Sequence, residues 1–126
     1  MSDAPVVRLR DLRKSFGPLE VLKGISLEAR RGEVLSILGS SGSGKSTMLR
    51  CINMLEVPDS GEVSITGEAI ALRHTRHGTR PVDMRQVNRL RTRIGMVFQG
   101  FNLWSHRTVL ENLIEVPVHV QRLSLI

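Results

Sequence analysis

Cysteine is almost absent from these 126 residues, with Cys51 standing alone. A single thiol excludes a disulfide framework and fits a reducing compartment. Its place within a stretch of helical periodicity predicts a small core hydrophobe rather than a reactive group. Aromatic residues are scarce as well, at 3%, and none occurs between Phe16 and Phe98. Proteins that bind single-stranded nucleic acid usually intersperse aromatics as stacking platforms, so the gap argues against that class. No apolar stretch approaches the ~20 residues needed to cross a bilayer, and no basic start followed by an apolar run opens the chain. A soluble, cytoplasmic chain with one core is expected.

Acidic residues are outnumbered, 12 against 18 basic ones, and the excess is mostly arginine. Arg73, Arg76, Arg80, Arg85, Arg89, Arg91 and Arg93 fall within 21 residues opposed only by Asp83. Such a run suits a nucleic-acid or membrane-surface patch. The plainer expectation, favoured here, is a solvated helix face beside a loop. His74 and His77 share the stretch without cysteine or carboxylate at ligand spacing, and are expected to be surface residues.

What the sequence does contain is a phosphate-binding motif. Residues 39–47 read GSSGSGKST and fit G-x-x-x-x-G-K-[ST]. Gly39, Gly42 and Gly44 allow backbone angles barred to other residues and let N–H groups approach an anion. Between them Ser40, Ser41 and Ser43 complete the loop, and Thr47 follows it. Lys45 offers an ammonium for β- and γ-phosphates, and the Ser46 hydroxyl is a hard oxygen of the kind Mg²⁺ prefers. Residues 33–38 (EVLSIL) read as a short buried strand and Lys45 to Met54 as a helix. The loop would therefore join a strand end to a helix N-terminus, where the helix dipole also favours an anion. A nucleoside triphosphate is the ligand this implies.

Elsewhere the pattern is coarser. Residues 6–12 alternate imperfectly as a half-exposed strand, residues 21–27 suggest a second, and Arg31-Gly32-Glu33 a tight turn. Pro58-Asp59-Ser60-Gly61 carries turn chemistry, and residues 62–66 alternate as a strand closed at Gly67. Together these predict a small, largely antiparallel sheet. Asp83 is placed to cap a helix from Met84 to about Arg91, with Met84, Val87 and Leu90 along one face. Residues 94–98 (IGMVF) read as a central strand. Thr108 and Glu111 match a capping box for a helix running from Val109 toward Val116, which Pro117 ends or kinks.

The order of Phe16, the phosphate loop and Gln99 resembles the nucleotide-binding subunits of ABC transporters. RCINMLEVPDSGEV and RTRIGMVFQGFNLWSHRTVLEN are similar, more narrowly, to ATP-binding subunits of importers for polar, especially basic, amino acids. The resemblance runs from Val6 to about Val120. It implies an α/β fold, a P-loop NTPase of ABC ATPase type with an antiparallel β-subdomain, incomplete at the C-terminus. Residues 1–98 would form the β-subdomain and phosphate-loop core, and 99–126 the Q-loop and the start of a helical subdomain. Phe16 would stack on adenine, with a core phenylalanine as the alternative. Gln99 would reach Mg²⁺ and the attacking water, the alternative being an ordinary polar strand end. Phe101 and Trp104 would anchor a contact with membrane subunits or belong to the helical subdomain's core. ATP and Mg²⁺ are the implied cofactors. The implied partners are permease subunits, a second ATP-binding subunit and, indirectly, a solute-binding protein, at the inner face of the cell membrane. No nucleic acid is expected.

Three other identities compete with this one. A P-loop nucleotide kinase usually opens with its phosphate strand, whereas 38 residues precede Gly39 here. A nucleic-acid-associated ABC protein would need aromatics in its basic stretch. A non-functional truncated fragment remains open, because the family's LSGGQ-like segment, its strand ending in Asp-Glu and its switch histidine are not in this sequence. Phosphoryl transfer needs several positioned charges at once. These 126 residues by themselves are therefore expected not to hydrolyse ATP. Magnesium-dependent turnover by the purified chain, abolished by Lys45→Ala, would show otherwise.

Overall fold

A computed structural model of the chain describes residues 4–98 and 105–115. It comprises two compact units, Met1–Gly95 and Met96–Ile126. In the first unit, β1 (Val7–Phe16) and β2 (Leu19–Ala29) form a long hairpin. β3 (Ser60–Ile65) pairs with the other side of β1, and the short β4 (Glu68–Ala69) with β3. The sheet order is β2-β1-β3-β4, antiparallel throughout. That is the antiparallel sheet the alternation predicted.

The imperfect alternation in β1 has a physical cause. Leu9 and Leu12 are both buried, although residues three apart on a regular strand face opposite ways. The ladder slips between Arg10 and Arg13, and Asp11 takes a left-handed φ of 47°. This bulge inserts one extra residue and returns Leu12 to the core side. Opposite it sits Gly61 (φ 95°), where a Cβ would lie 2.4 Å from the Asp11 carbonyl oxygen. Only glycine fits there.

Leu9, Leu12, Leu22, Val63 and Ile65 from the sheet meet Met48 and Cys51 of α1 (Lys45–Ile52) in one core. Val87 and Leu90 of α2 (Met84–Arg91) complete it. Cys51 is fully buried, and burial pushes its thiol up to about 11, as its expected core role requires. Asp83 caps α2 by accepting from the Arg85 N–H at 2.9 Å. Val87 and Leu90 are buried as expected, while Met84 on the same face stays half-exposed.

Three expectations need correction. Residues 33–38 form no strand and pair with none among the described residues, and Val34 and Leu38 are 89% and 93% exposed. Residues 94–98 likewise form no ladder, although Ile94 packs partly on the core. Both runs have the composition of strands covered on two faces, but a strand needs neighbours as well as composition. Among the described residues, neither run has such neighbours.

The arginine-rich stretch is not a plain solvated helix face either. Its first part forms a separate ribbon of β5 (Leu72–Thr75) and β6 (Gly78–Pro81). Its last arginines hold the fold together. Arg91 donates to the carbonyls of Asn53 (2.8 Å) and Met54 (3.1 Å), supplying a cation at the C-terminal end of α1. Arg93 donates to the Thr66 hydroxyl, and Arg89 grips both oxygens of Glu68 at 2.8 and 2.6 Å. Gln86 joins Glu68 and the backbone of Ala69 and Ala71. His74 and His77 are exposed, as expected.

In the second unit, α3 (Val109–Ile114) starts with the expected reciprocal capping box. Thr108 N–H donates to Glu111, and Glu111 N–H donates to the Thr108 hydroxyl, each at 3.1 Å. These bonds, the backbone one first, hold the Glu111 carboxyl below its usual range. Arg107 pairs with Glu115 beyond the helix end. Val116 and Pro117 lie outside the described residues.

The Arg89 clamp, followed by Gln86, holds the Glu68 carboxyl down at about 2. A carboxylate depressed by folding adds stability above its unfolded pKa and loses it as pH falls through the folded one. The clamp's contribution should therefore be complete above about pH 4.5 and gone near pH 2. In Glu68→Gln, urea midpoints should fall less steeply between those limits than in the parent. Identical pH profiles would remove Glu68 from the acid response.

Candidate functional site

The phosphate loop is seated on β2. At Gly44 the backbone is left-handed (φ 95°), and a Cβ would sit 2.9 Å from Val21 Cγ1 and 3.1 Å from the Val21 carbonyl oxygen. Any side chain would be strained and would also push the loop off the strand. Sequence spacing had marked Gly44 as permissive. It gave no sign that Val21 and Leu22 form the seat. Upstream, Ser43 N–H donates to the Ser40 carbonyl at 3.1 Å, closing a tight turn in which Gly42 takes a φ of 81°. At Gly39 a Cβ would lie 2.6 Å from Ser43 Oγ.

α1 begins immediately after Gly44. No side chain caps it and no acid lies in its first turn. The first N–H groups of a helix have no intrahelical acceptor, and the dipole's positive end lies there. Met48 N–H is already bonded to the Gly44 carbonyl at 2.9 Å. The donors of Lys45, Ser46 and Thr47 thus stand at an uncompensated positive end, beside the exposed Ser46 hydroxyl. Such an arrangement receives anions.

The Lys45 ammonium is folded back into the loop. It donates to the carbonyls of Gly39 (2.5 Å) and Ser40 (2.7 Å) and to Ser43 Oγ (3.3 Å). The residues fit a triphosphate on these observations: a glycine-lined backbone cradle, an uncapped helix start and a cation free to exchange carbonyl oxygens for phosphate oxygens. Among the described residues no cluster of three or more His, Cys, Asp or Glu offers a metal site; of the two metal ligands expected from sequence, Ser46 is exposed at the start of α1 and Gln99 lies outside the described residues.

Phe16 ends β1 opposite Leu19 and is 44% exposed, so the core alternative does not apply. Lys14 Nζ lies 5.3 Å from its ring centroid. That lysine is tied to the Val57 carbonyl at 3.0 Å and to Asp59 at 3.6 Å. Leu19, Phe16's partner, is two residues from Val21, the residue beneath Gly44. The ring and the loop are therefore referenced to one strand, roughly 7 Å apart along it. Lys14 was not singled out from sequence, and nothing in its spacing marks it. Gln99, Phe101 and Trp104 lie outside the described residues.

A family model described as ABC transporter matches residues 22–124. The octopine permease ATP-binding protein P of Agrobacterium tumefaciens is 68% identical over 119 residues, covering 93% of this chain and 45% of that protein. The arginine/ornithine transport ATP-binding protein AotP of Pseudomonas aeruginosa is 55% identical, covering 94% and 47%. The histidine/lysine/arginine/ornithine transport ATP-binding protein HisP of Salmonella typhimurium is 57% identical, covering 90% and 45%. The chain thus spans about half the length of the curated relatives it matches. Among solved structures, a dimeric bacterial ABC transporter cassette, MJ0796, aligns with a TM-score of 0.74 at 34% identity, covering 95% of this chain and 50% of that one. The cbiO1 part of the cbiONQ ABC transporter complex of Clostridium perfringens aligns at 0.71 and 28%, covering 93% and 43%.

Removing the loop's cation tests the site directly. Lys45→Ala should weaken ATP binding by about ten- to a hundredfold, the worth of a charge-assisted hydrogen bond or two. Gly39 and Ser40 are exposed, so their carbonyls turn to water and the fold should persist. Equal affinities in a fluorescence titration, with unchanged circular dichroism, would sink this assignment.

Proposed function

The chain belongs to the ABC transporter family, and from that premise we propose that it is the ATP-binding part of an importer for polar, specifically basic, amino acids. The observation that carries the proposal is the cradle at residues 39–47, set on β2 and opening onto an uncapped helix. In this reading Lys45 leaves the Gly39 and Ser40 carbonyls for the β- and γ-phosphates. The N–H groups of the loop and of the first turn of α1 hold the remaining oxygens. Phe16 stacks on adenine, and Lys14 below it fixes the ring's end of β1 through Val57 and Asp59. Ser46 would hold Mg²⁺, and Gln99, by the family resemblance, would orient the attacking water beside it. The metal supplies charge neutralisation between phosphate oxygens when bound.

The names of relatives that share 55–68% of the residues, octopine permease and arginine/ornithine transport among them, support the substrate class. The assembly would comprise two ATP-binding subunits on permease subunits at the inner face of the membrane, served by a solute-binding protein. No helix among the described residues is long and apolar enough to cross a membrane. Residues 1–98 would form the nucleotide-binding core and 99–126 the Q-loop with the start of a helical subdomain. The division into Met1–Gly95 and Met96–Ile126 is compatible with that boundary.

A chimera tests the importer reading. This chain's matched segment, placed in the arginine/ornithine relative, should retain arginine uptake. Lost uptake with intact ATP binding would overturn the importer reading. At the site itself, Phe16→Ala should cost about 1–3 kcal/mol of nucleotide affinity, by analogy with base–aromatic stacking. The loss should be alike for ATP and GTP, because stacking scarcely reads base identity. Parental affinity in the mutant would end the stacking role.

A further inference from the structure

The β5–β6 ribbon carries charge that the fold does not use. Leu72 and Pro81 face each other across it, as do His74 and Thr79, and this side is anchored. Leu72 packs against the core, His74 Nδ1 meets Thr79 Oγ1 at 3.0 Å, and that hydroxyl donates to the Asp59 carbonyl at 3.1 Å. Residues alternate faces along a strand, so Arg73 and Arg80 stand on the other side, directly opposite one another. Arg76 and His77 make the turn, and all four side chains are exposed.

Like charges directly opposed across two strands destabilise a ribbon. Three of the four remaining arginines of the stretch, Arg89, Arg91 and Arg93, find internal partners for their side chains in Glu68, Asn53, Met54 and Thr66. Among the described residues, Arg73, Arg76 and Arg80 make no ion pair, and Asp83, the one acid nearby in sequence, is engaged as the cap of α2. Among the described residues nothing offsets that cost.

We propose that this ribbon is a docking surface for an anionic lipid membrane, with Arg73, Arg76 and Arg80 meeting lipid phosphates. The idea rests on the reading of the chain as part of a membrane transporter. The chemistry favours lipid over nucleic acid. Three guanidiniums at the tip and outer face of a short, firmly seated ribbon suit a flat field of phosphates, each adding membrane affinity near such a surface. No aromatic residue lies between Phe16 and Phe98 to stack a base.

Sedimentation of the full chain with vesicles tests it. Vesicles with about one third phosphatidylglycerol in phosphatidylcholine should bind the chain, and pure phosphatidylcholine should not. Each arginine replaced by glutamine should lower partitioning about fivefold, so that R73Q/R76Q/R80Q loses on the order of a hundredfold. A variant with equal charge removed elsewhere, R10Q/R31Q/R50Q, should bind like the parent. Equal losses in the two triples would reduce the effect to net charge and overturn the proposal. So would binding by the ribbon residues to duplex DNA but not to anionic vesicles. ATP binding by the same preparations reports separately on the transporter reading, since none of these arginines belongs to the phosphate loop.

Discussion

One backbone position carries two requirements at once. At Gly44 the chain must turn left-handed and must also lie within van der Waals contact of β2. The direction of α1 follows from that point, and with it the inward placement of Met48 and Cys51. The loop before it and the uncapped donors after it are fixed by the same contact. A single added methyl would disturb the site and the core together.

The other end of α1 is held by different physics. Arg91 brings a cation to the carbonyls of Asn53 and Met54, where the helix dipole is negative. Arg91 belongs to α2, whose own start is capped by Asp83 and whose flank is clamped to Glu68 through Arg89 and Gln86. The helix carrying the candidate site is thus seated by steric fit at its beginning and by charge at its end. Between the two, burial of Leu90 and Val87 against Cys51 and its neighbours supplies the non-directional attraction.

Local chemistry was legible in the sequence wherever the residues that decide an element lie within a few positions of one another. Asp83, the Thr108–Glu111 box and two of the three phosphate-loop glycines, Gly42 and Gly44, are of that kind and took their expected form, while Gly39 is not left-handed and is needed for its close approach to Ser43. The bulge at Asp11 was visible only as a flaw in alternation, because its explanation, Gly61, lies 50 residues away in sequence. Residues 33–38 and 94–98 misled for a related reason: apolar composition states what a strand would bury, not whether neighbours exist to bury it. The ribbon at 72–81 was hidden by its arginines, which read as solvated charge whether they decorate a helix, a loop or a hairpin. Within the site, Lys45 and its loop were plain from spacing. The seat on Val21 and the lysine over Phe16 depend on contacts between β2, β1 and the loop that no local pattern encodes.

The contacts of Lys45 give the loop an internal salt-like character. Three of its own oxygens already solvate the ammonium, so an arriving anion does not add contacts to a bare charge but displaces one coordination shell with another. The heat of such an exchange is a small difference between two similar sets of bonds. Its driving force would then come largely from water released by phosphate and loop, and calorimetry at this loop should register entropy where the geometry alone suggests enthalpy.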